Sequence, residues 1–257
     1  MNTQRLLSLL NVSKQFGGLQ AVADVGMEVQ AGEIVALIGP NGAGKTTLFA
    51  LISGFLTPDA GTIDFAGQHI AGRSPESICA LGLVRTFQIV QPFAGLSVRH
   101  NIAIGAHLRH ADRGRALASA EQVAALVGMS AMLDQQAADL TVAGRKRLEL
   151  ARALATEPKL LLLDEVFAGL NPSEIAEIVP VIKDLQKGGI TLLLIEHVMQ
   201  AVMSLAERVY VLNEGRLIAH GTPAAIAADA RVVEAYLGHG AAQRLIGNGR
   251  ESDAPHA

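Results

Sequence analysis

Cysteine, tryptophan and excess positive charge are all scarce in this chain of 257 residues, which has one cysteine, no tryptophan and a formal net charge of −3. The single Cys79 excludes an intramolecular disulfide and a metal site built from several cysteines. No basic stripe or arginine-rich tail is present in the sequence. Because nucleic-acid binding normally leaves such a basic footprint, we expect no nucleic-acid partner.

Long hydrophobic runs are also missing. The purest apolar stretches, residues 160–163 and 192–195, have the length of buried strands rather than of membrane-spanning helices. The first residues lack the basic region, the long apolar stretch and the small-residue cleavage site of a signal peptide. We therefore expect a cytoplasmic protein.

The apolar pattern predicts an α/β fold. Hydrophobic residues make up 50% of the chain, which is enough for a buried core. Two early segments, 7–12 and 19–29, alternate as antiparallel strands do. Strand signals return at 159–164, 189–196, 208–212 and 216–220. We interpret these as separated by helices and paired in a parallel sheet, with helical patterns between residues 97 and 156 inserted into the α/β core.

A phosphate-binding motif lies between an apolar run and a helix-like run. The pattern G-x-x-x-x-G-K-[ST] begins a segment that reads Gly39, Pro40, Asn41, Gly42, Ala43, Gly44, Lys45, Thr46 and Thr47. Glycines let backbone N–H groups turn toward polyphosphate oxygens, Lys45 adds a cation, and the Thr46 hydroxyl is placed to ligate Mg²⁺. The alternative is a glycine-rich turn with a solvated lysine, but the strand-loop-helix context favours nucleotide binding.

Polar residues follow three other predicted strands at their carboxyl ends, where α/β proteins bind ligands. Asp164 could hold Mg²⁺ directly or through water, and Glu165 could orient or deprotonate a water. His197 could contact a terminal phosphate. Gln88 could serve both a metal-bound water and a hinge. Taken singly, each could be an ordinary polar residue at a strand end.

From about residue 7 to residue 238, these motifs resemble the ATP-binding subunits of ABC transporters in order and spacing. The Walker A loop, Gln88, the Walker B strand with Glu165, the turn Ala168–Asn171 and His197 follow one another as they do in that family. The resemblance implies a P-loop NTPase core with an antiparallel β subdomain, and a helical subdomain inserted between the Gln88 loop and the signature segment.

The same resemblance implies domain limits, cofactors and residue roles. We expect one ABC ATPase domain over residues 1–238, with the helical subdomain at about 89–157, and a disordered tail over residues 239–257. ATP and Mg²⁺ are the implied cofactors, with the metal at Thr46, Gln88 and Asp164, and hydrolysis assigned to Glu165, His197 and Gln88. Phe16 matches the aromatic residue that stacks on adenine, although a phenylalanine at a strand end could also belong to the core.

One segment departs from the family pattern. The signature Leu-Ser-Gly-Gly-Gln corresponds here to Leu140-Thr141-Val142-Ala143-Gly144, so Thr141 keeps the hydroxyl, Ala143 replaces a glycine and Gly144 replaces the glutamine. In the family this segment caps the γ-phosphate on the opposite subunit through backbone donors at a helix N-terminus, and such donors survive side-chain changes. We expect Thr141, Ala143 and Gly144 to act in trans without the glutamine side chain.

The segments around the motifs resemble the ATP-binding subunits of high-affinity branched-chain amino acid importers. The similar stretches are residues 17–22, 85–88, 218–223 and 233–238. Import of urea, short amides or aromatic acids, and lipopolysaccharide export, stay open as alternatives. The resemblance implies two membrane permeases, a periplasmic solute-binding protein acting through them, and a second, different ATPase in a heterodimer at the cytoplasmic face of the inner membrane.

Two other classes of protein use the same loop. A soluble P-loop kinase would need a phosphoacceptor pocket, and the order from Gln88 to His197 is not expected of it. A non-transport ABC ATPase of DNA repair or translation usually carries coiled-coil arms or tandem ATPase domains, and neither pattern occurs in this sequence. Transport therefore accounts best for the motifs.

Two further segments have structural interpretations. Asn171, Pro172 and Glu174 predict a capping box for a helix that runs toward Lys187, so we assign them no catalytic role. Residues 91–97 could form the groove that receives a coupling helix of a permease. Their apolar side chains could equally belong to the core of the helical subdomain.

Overall fold

A computed structural model describes residues 4–86 and 91–237. Gln88 and the tail from residue 238 onward lie outside the described residues. The strands in this part of the chain are β1 (Arg5–Phe16), β2 (Leu19–Gln30), β3 (Ile34–Ile38), β4 (Ala60–Phe65), β5 (Gln68–His69), β6 (Leu83–Arg85), β7 (Leu160–Asp164), β8 (Thr191–Ile195), β9 (Arg208–Asn213) and β10 (Arg216–Gly221).

The helices alternate with the later strands. They are α1 (Lys45–Ile52), α2 (Pro75–Leu81), α3 (Val98–Ala106), α4 (Arg113–Leu126), α5 (Val142–Leu154), α6 (Pro172–Lys187), α7 (Met199–Leu205), α8 (Pro223–Ala227) and α9 (Ala230–Leu237), with short 3-10 helices at Ser130–Met132 and Ala137–Asp139. Among the helices of the described residues, none is long and apolar enough to cross a membrane.

Two sheets pack on either side of α1. The first has the antiparallel order β2-β1-β4-β5, and the second has the order β10-β9-β3-β8-β7-β6 with β3 and β6 to β9 parallel. One apolar cluster joins them, and it includes Leu9, Val25, Leu37 and Phe49. The parallel strands are apolar at nearly every position because both of their faces are buried. The predicted α/β fold with an antiparallel β part is confirmed.

The last two strands correct the prediction that helices separate all the later strands. β9 and β10 form an antiparallel hairpin. Glu214 and Gly215 have φ angles of 48° and 77°, and two successive positive φ angles are what a tight hairpin turn requires. The prediction was wrong at this point because only residues 213–215 separate the two predicted strands, and a helical crossover between parallel strands needs a dozen or more residues.

The helical insertion lies between β6 and β7, as the sequence predicts. Its helices α3, α4 and α5 share an apolar cluster that includes Ile102, Ala120 and Leu148. Further along, the predicted capping box at the start of α6 is confirmed, since the Asn171 side chain accepts from the Glu174 N–H and the Glu174 carboxylate accepts from the Asn171 N–H.

A fully buried asparagine holds the loop that leads into α3. The Asn101 side-chain oxygen accepts from the Phe93 N–H at 2.9 Å, and its amide nitrogen donates to the carbonyls of Phe93, Leu96 and Ser97 at 3.1, 3.2 and 3.0 Å. Phe93 and Leu96 remain exposed, so this loop is shaped by hydrogen bonds rather than by burial of its own apolar side chains. The interpretation of residues 91–97 as subdomain core is therefore not favoured.

Replacing this asparagine should unfold the insertion more easily. Asn101→Ala leaves buried backbone groups without partners, and we expect a loss of about 2 kcal/mol in the free energy of unfolding, measured by urea denaturation. Gln122→Ala, at an exposed position of α4, is the matched control and should stay within about 0.5 kcal/mol of wild type. Equal stability of the two variants would contradict the role given to Asn101.

Candidate functional site

The candidate site lies where three parallel strands end. Strand register places Leu37 of β3 beside Ile195 of β8, and Ile195 beside Asp164 of β7. The residues that follow these positions therefore emerge at one edge of the sheet. That edge is where open α/β sheets bind their ligands.

The phosphate loop depends on two glycines that no other residue could replace without a shift of backbone. Gly39 has a φ angle of 152°, and a Cβ atom there would lie 2.0 Å from the Leu212 carbonyl oxygen. Gly44, which precedes α1, has a φ angle of 101°, and a Cβ atom there would lie 2.2 Å from the Ala21 carbonyl oxygen. These close approaches let the loop wrap around the first turn of α1.

Lys45 is buried at the start of α1. Its Nζ donates to the carbonyls of Gly39 at 2.7 Å and Pro40 at 3.0 Å. Burial lowers the pKa of Lys45, and the nearby carboxylates of Glu165 and Asp164 act in the opposite direction. The Lys45 ammonium is thus held within the loop by two backbone carbonyls, and two carboxylates nearby stabilise its charge.

A cleft of about 600 Å³ opens in front of the phosphate loop. Its lining includes most of the predicted site residues, namely Phe16, Asn41, Gly42, Ala43, Gly44, Lys45, Thr46, Thr47, Glu165 and His197. Leu19, Gln20, Ala21 and Glu214 also line it and were not predicted. These four lie at the tips of the β1–β2 and β9–β10 hairpins, and only the tertiary fold brings hairpin tips to the cleft.

Glu165 and His197 meet in this cleft. The Nε2 of His197 lies 2.8 Å from the Oε1 of Glu165, a hydrogen-bond distance. Glu165 has a φ angle of 52°, which is unusual for a residue with a Cβ atom, and its N–H donates to the Ile195 carbonyl at 2.9 Å. The left-handed conformation of Glu165 ends strand β7, and the Glu165 carboxylate lies beside His197.

Asp164 occupies a different environment from that of its neighbour Glu165. It is 2% exposed, and its Oδ2 accepts from the Nη2 of Arg85 at 2.7 Å, while its N–H donates to the Thr86 hydroxyl at 3.2 Å. Arg85 and Thr86 were not predicted as site residues. The ion pair fixes one carboxylate oxygen of Asp164 beneath the cleft floor.

The oxygen atoms near the loop fit a Mg²⁺ ion that a nucleotide would bring. The exposed Thr46 hydroxyl lies in the cleft, and the buried Asp164 is suited to act through an ordered water. Mg²⁺ usually binds through one or two protein oxygens, several waters and substrate phosphates. No three His, Cys, Asp or Glu side chains of the described residues cluster as a metal site. Gln88, the third predicted ligand, lies outside the described residues.

Phe16 is not a core residue. Its side chain is 45% exposed at the mouth of the cleft, and the Nζ of Lys14 lies 5.6 Å from the centre of its ring. An exposed ring beside a polar cleft is available for stacking against a flat ligand. Of the two interpretations, the adenine contact is the one that this position favours.

The variant signature segment begins α5. The Thr141 hydroxyl caps the helix by accepting from the Gly144 N–H at 3.1 Å. None of the described residues that line the cleft belongs to this segment. A Cβ atom at Gly144 would lie 3.3 Å from the Leu140 Cβ, so the usual glutamine would need a small shift here.

Two buried ionisable residues stand behind Glu165, and sequence reasoning missed their role. Lys146 of α5 donates from Nζ to the Glu165 carbonyl at 3.1 Å. The Oε1 of Glu196 accepts from the Phe167 N–H at 3.1 Å. Burial raises the pKa of Glu196 to about 7, while the N–H groups of Phe167 and His197 lower it, Glu165 raises it and Lys146 lowers it. These contacts are long-range, so the sequence offers no direct signal for them.

The chain matches two protein-family models. Residues 22–168 match the family described as ABC transporter. Residues 216–242 match the family described as branched-chain amino acid ATP-binding cassette transporter. The two matches cover the phosphate loop, the strand with Asp164 and Glu165, and the C-terminal helices.

Curated relatives and solved structures agree with these matches. The high-affinity branched-chain amino acid transport ATP-binding protein LivG of Escherichia coli is 40% identical over 252 residues, covering 92% of this chain and 99% of that protein. BraF of Pseudomonas aeruginosa, of the same description, is 36% identical, with 91% and 98% covered. A nucleotide-free ATP-binding cassette and one in the ADP conformation, both from an ABC transporter, each superpose with a TM-score of 0.84 at 31% identity, covering 92% of this chain and all of theirs.

Glu196 should make the stability of the protein depend on pH. Its pKa is raised from 4.5 to about 7, so between these values the folded protein binds a proton that the unfolded chain has lost. The contribution of Glu196 to the free energy of unfolding is therefore fully present below about pH 4.5 and is lost as the pH rises through about 7. In thermal unfolding, the melting temperature of Glu196→Gln relative to wild type should increase from pH 5 to pH 8. A difference that stays constant would contradict the assignment.

Proposed function

The chain belongs to the ABC transporter ATP-binding proteins, and from that membership we propose that it hydrolyses ATP to drive import of branched-chain amino acids. The observation that carries the proposal is one cleft, which is lined by the phosphate loop with Lys45 and also by Glu165 and His197. The specific solute class is supported by the match of residues 216–242 and by the names of the relatives.

ATP would lie along the cleft with its base at Phe16 and its phosphates at Lys45. The ring of Phe16 supplies a stacking surface, and the N–H groups of the loop and of the first turn of α1 supply donors for the phosphates. Lys45 would exchange its bonds to the Gly39 and Pro40 carbonyls for phosphate oxygens. Mg²⁺ would be held by Thr46 and by Asp164 through water, and it would neutralise charge that develops on the phosphates.

Hydrolysis requires a water aligned with the terminal phosphate. In this proposal Glu165 orients that water and takes its proton, while His197 contacts the γ-phosphate. The 2.8 Å contact between His197 Nε2 and Glu165 Oε1 supports both roles, because it would hold the carboxylate in position. Gln88, beyond the described residues, is assigned to the metal-bound water and to the hinge on the strength of the family resemblance alone.

A second ATPase completes the site in this proposal. The start of α5, with Thr141, Ala143 and Gly144, would cap the nucleotide of the partner, because it does not line the cleft of its own chain within the described residues. Without the glutamine side chain, that cap would depend on backbone donors. The partner would be a different protein rather than a second copy, because the chain resembles importers whose two ATPases usually differ in sequence. Mass spectrometry of the complex from native membranes tests this by counting one or two kinds of ATPase.

The permease would dock on the exposed apolar loop and the grooves beside α3. Phe93 and Leu96 are exposed on the loop that Asn101 holds. Arg152 lies over the Phe93 ring at 4.9 Å and also lines a groove with Ile104. In this proposal the chain works at the cytoplasmic face of the inner membrane, and a periplasmic solute-binding protein acts on it only through the permeases.

Glu165→Gln separates binding from hydrolysis. The amide cannot take a proton from water, so ATP turnover by the assembled transporter should fall about a hundredfold or more while ATP affinity is kept. Lys45→Ala, the contrasting variant, should weaken ATP binding about tenfold or more because the phosphates lose their buried cation. Titration with a fluorescent ATP analogue and phosphate release measure the two effects. Near-normal turnover by Glu165→Gln would remove the proposed role.

Phe93→Ser tests the docking surface. Removing the ring deletes an apolar contact at the proposed interface, and we expect the affinity for the permease in detergent to fall about tenfold. Leu126→Ser is the matched control, since Leu126 is also an exposed apolar residue, but it lies at the end of α4 and not on the loop of residues 91–97. If both variants bind the permease as wild type does, the docking surface lies elsewhere.

A further inference from the structure

Among the described residues, Lys146 and Glu196 are buried charged side chains that the catalytic scheme does not use. They are 6% and 1% exposed. Lys146 comes from the first turns of α5, and Glu196 follows β8. Both reach the backbone of the segment that starts at Glu165, although they come from different parts of the fold.

The backbone at Glu165 needs external support. A residue with a Cβ atom in the left-handed region costs about 1 kcal/mol or more, and such a conformation persists only where the surroundings enforce it. Four hydrogen bonds do so here. The Glu165 N–H donates to the Ile195 carbonyl, and the Glu165 carbonyl accepts from the Lys146 Nζ and, within the turn, from the Ala168 N–H. The fourth bond runs from the Phe167 N–H to the Glu196 carboxylate.

Charge explains why these two residues occur together. A buried ammonium or a buried carboxylate alone carries a large desolvation cost, which an opposite charge nearby reduces. Lys146 is close enough to Glu196 to lower the pKa of its carboxyl, against the effect of burial. Apolar residues would fill the same space without this desolvation cost. The presence of Lys146 and Glu196 therefore indicates a role other than stability.

We propose that Lys146 and Glu196 are positioning residues that hold Glu165 in its left-handed conformation and make its placement depend on the position of α5. The proposal rests on the proposed function, because it assumes that Glu165 acts in hydrolysis. It extends that function by linking the helical insertion to the carboxylate of its own chain. When α5 moves with the insertion, the bond from Lys146 moves the Glu165 carbonyl, and the carboxylate leaves the position set by His197.

The consequence is a coupling within one subunit. α5 carries the signature segment at its start and Lys146 one turn later. A single helix therefore contacts the partner's nucleotide at its N-terminus and supports this chain's Glu165 from its first turns. Contact of the α5 N-terminus with the partner's nucleotide would thus align the Glu165 carboxylate at this chain's own nucleotide.

Three variants of the full chain, assembled with its co-purifying membrane proteins, test the proposal. Lys146→Met keeps the length of the side chain and removes the donor, and we expect kcat for ATP hydrolysis to fall about tenfold with ATP affinity changed less than about threefold. Lys146→Arg restores a donor and should recover most of kcat. Glu196→Met, which removes the acceptor of the Phe167 N–H, should lower kcat in the same manner. Hydrogen exchange at residues 165–167 should quicken in Lys146→Met and Glu196→Met, which reports the backbone independently of activity.

Arg147→Met is the matched control. Arg147 lies on the same helix and carries the same charge, but it pairs with Glu177 of α6. Its kcat should stay within about twofold of wild type. An unchanged kcat in Lys146→Met, or an equal loss in Lys146→Arg and Lys146→Met, overturns the proposal. Glu165→Gln is run in parallel, because normal turnover by that variant would refute the proposed function rather than the positioning role.

Discussion

Parallel pairing of β3, β8 and β7 brings Leu37, Ile195 and Asp164 into one row, and everything that follows these residues emerges at one edge of the sheet. The pairing is held by backbone hydrogen bonds between strands whose side chains are buried on both faces. A shift of one residue in either register would turn each strand's side chains to the opposite face, so the hydrophobic clusters on the two sides make such a shift costly. The phosphate loop, Glu165 and His197 are therefore brought together by the register of the core.

Burial of charge is concentrated near this edge. Among the described residues, the charged side chains buried in the protein are Lys45, Lys146, Asp164 and Glu196. Asp164 pairs with Arg85, and Lys45 bonds loop carbonyls. Such arrangements contribute little or nothing to net stability, because desolvation offsets the attraction. They do hold side chains in one geometry, which is what a reaction with a single aligned water demands.

The sequence predicted those features that local pattern determines. The phosphate loop lies between a short apolar strand and a helix, the capping box at Asn171 has its own signature, and the early strands alternate visibly. Prediction failed at the β9–β10 hairpin, where Glu214 has a positive φ angle that is uncommon for a glutamate. It also missed Arg85, Lys146 and Glu196 as parts of the site. These act through contacts with residues 19 to 79 positions away, and a single sequence carries no record of such distances.

The path of the loop at residues 91–97 depends on Asn101 and not on the exposed side chains of the loop. Within the described residues, the hydrogen bonds of the Asn101 amide all go to backbone atoms of that loop. Phe93 and Leu96 can therefore be exchanged for other residues without altering the path of the chain. If the proposed docking on this loop holds, its partner specificity could change in evolution one side chain at a time, without a change in the catalytic core. A lineage of duplicated ATPases could diverge toward different membrane proteins by this route while retaining one way of using ATP.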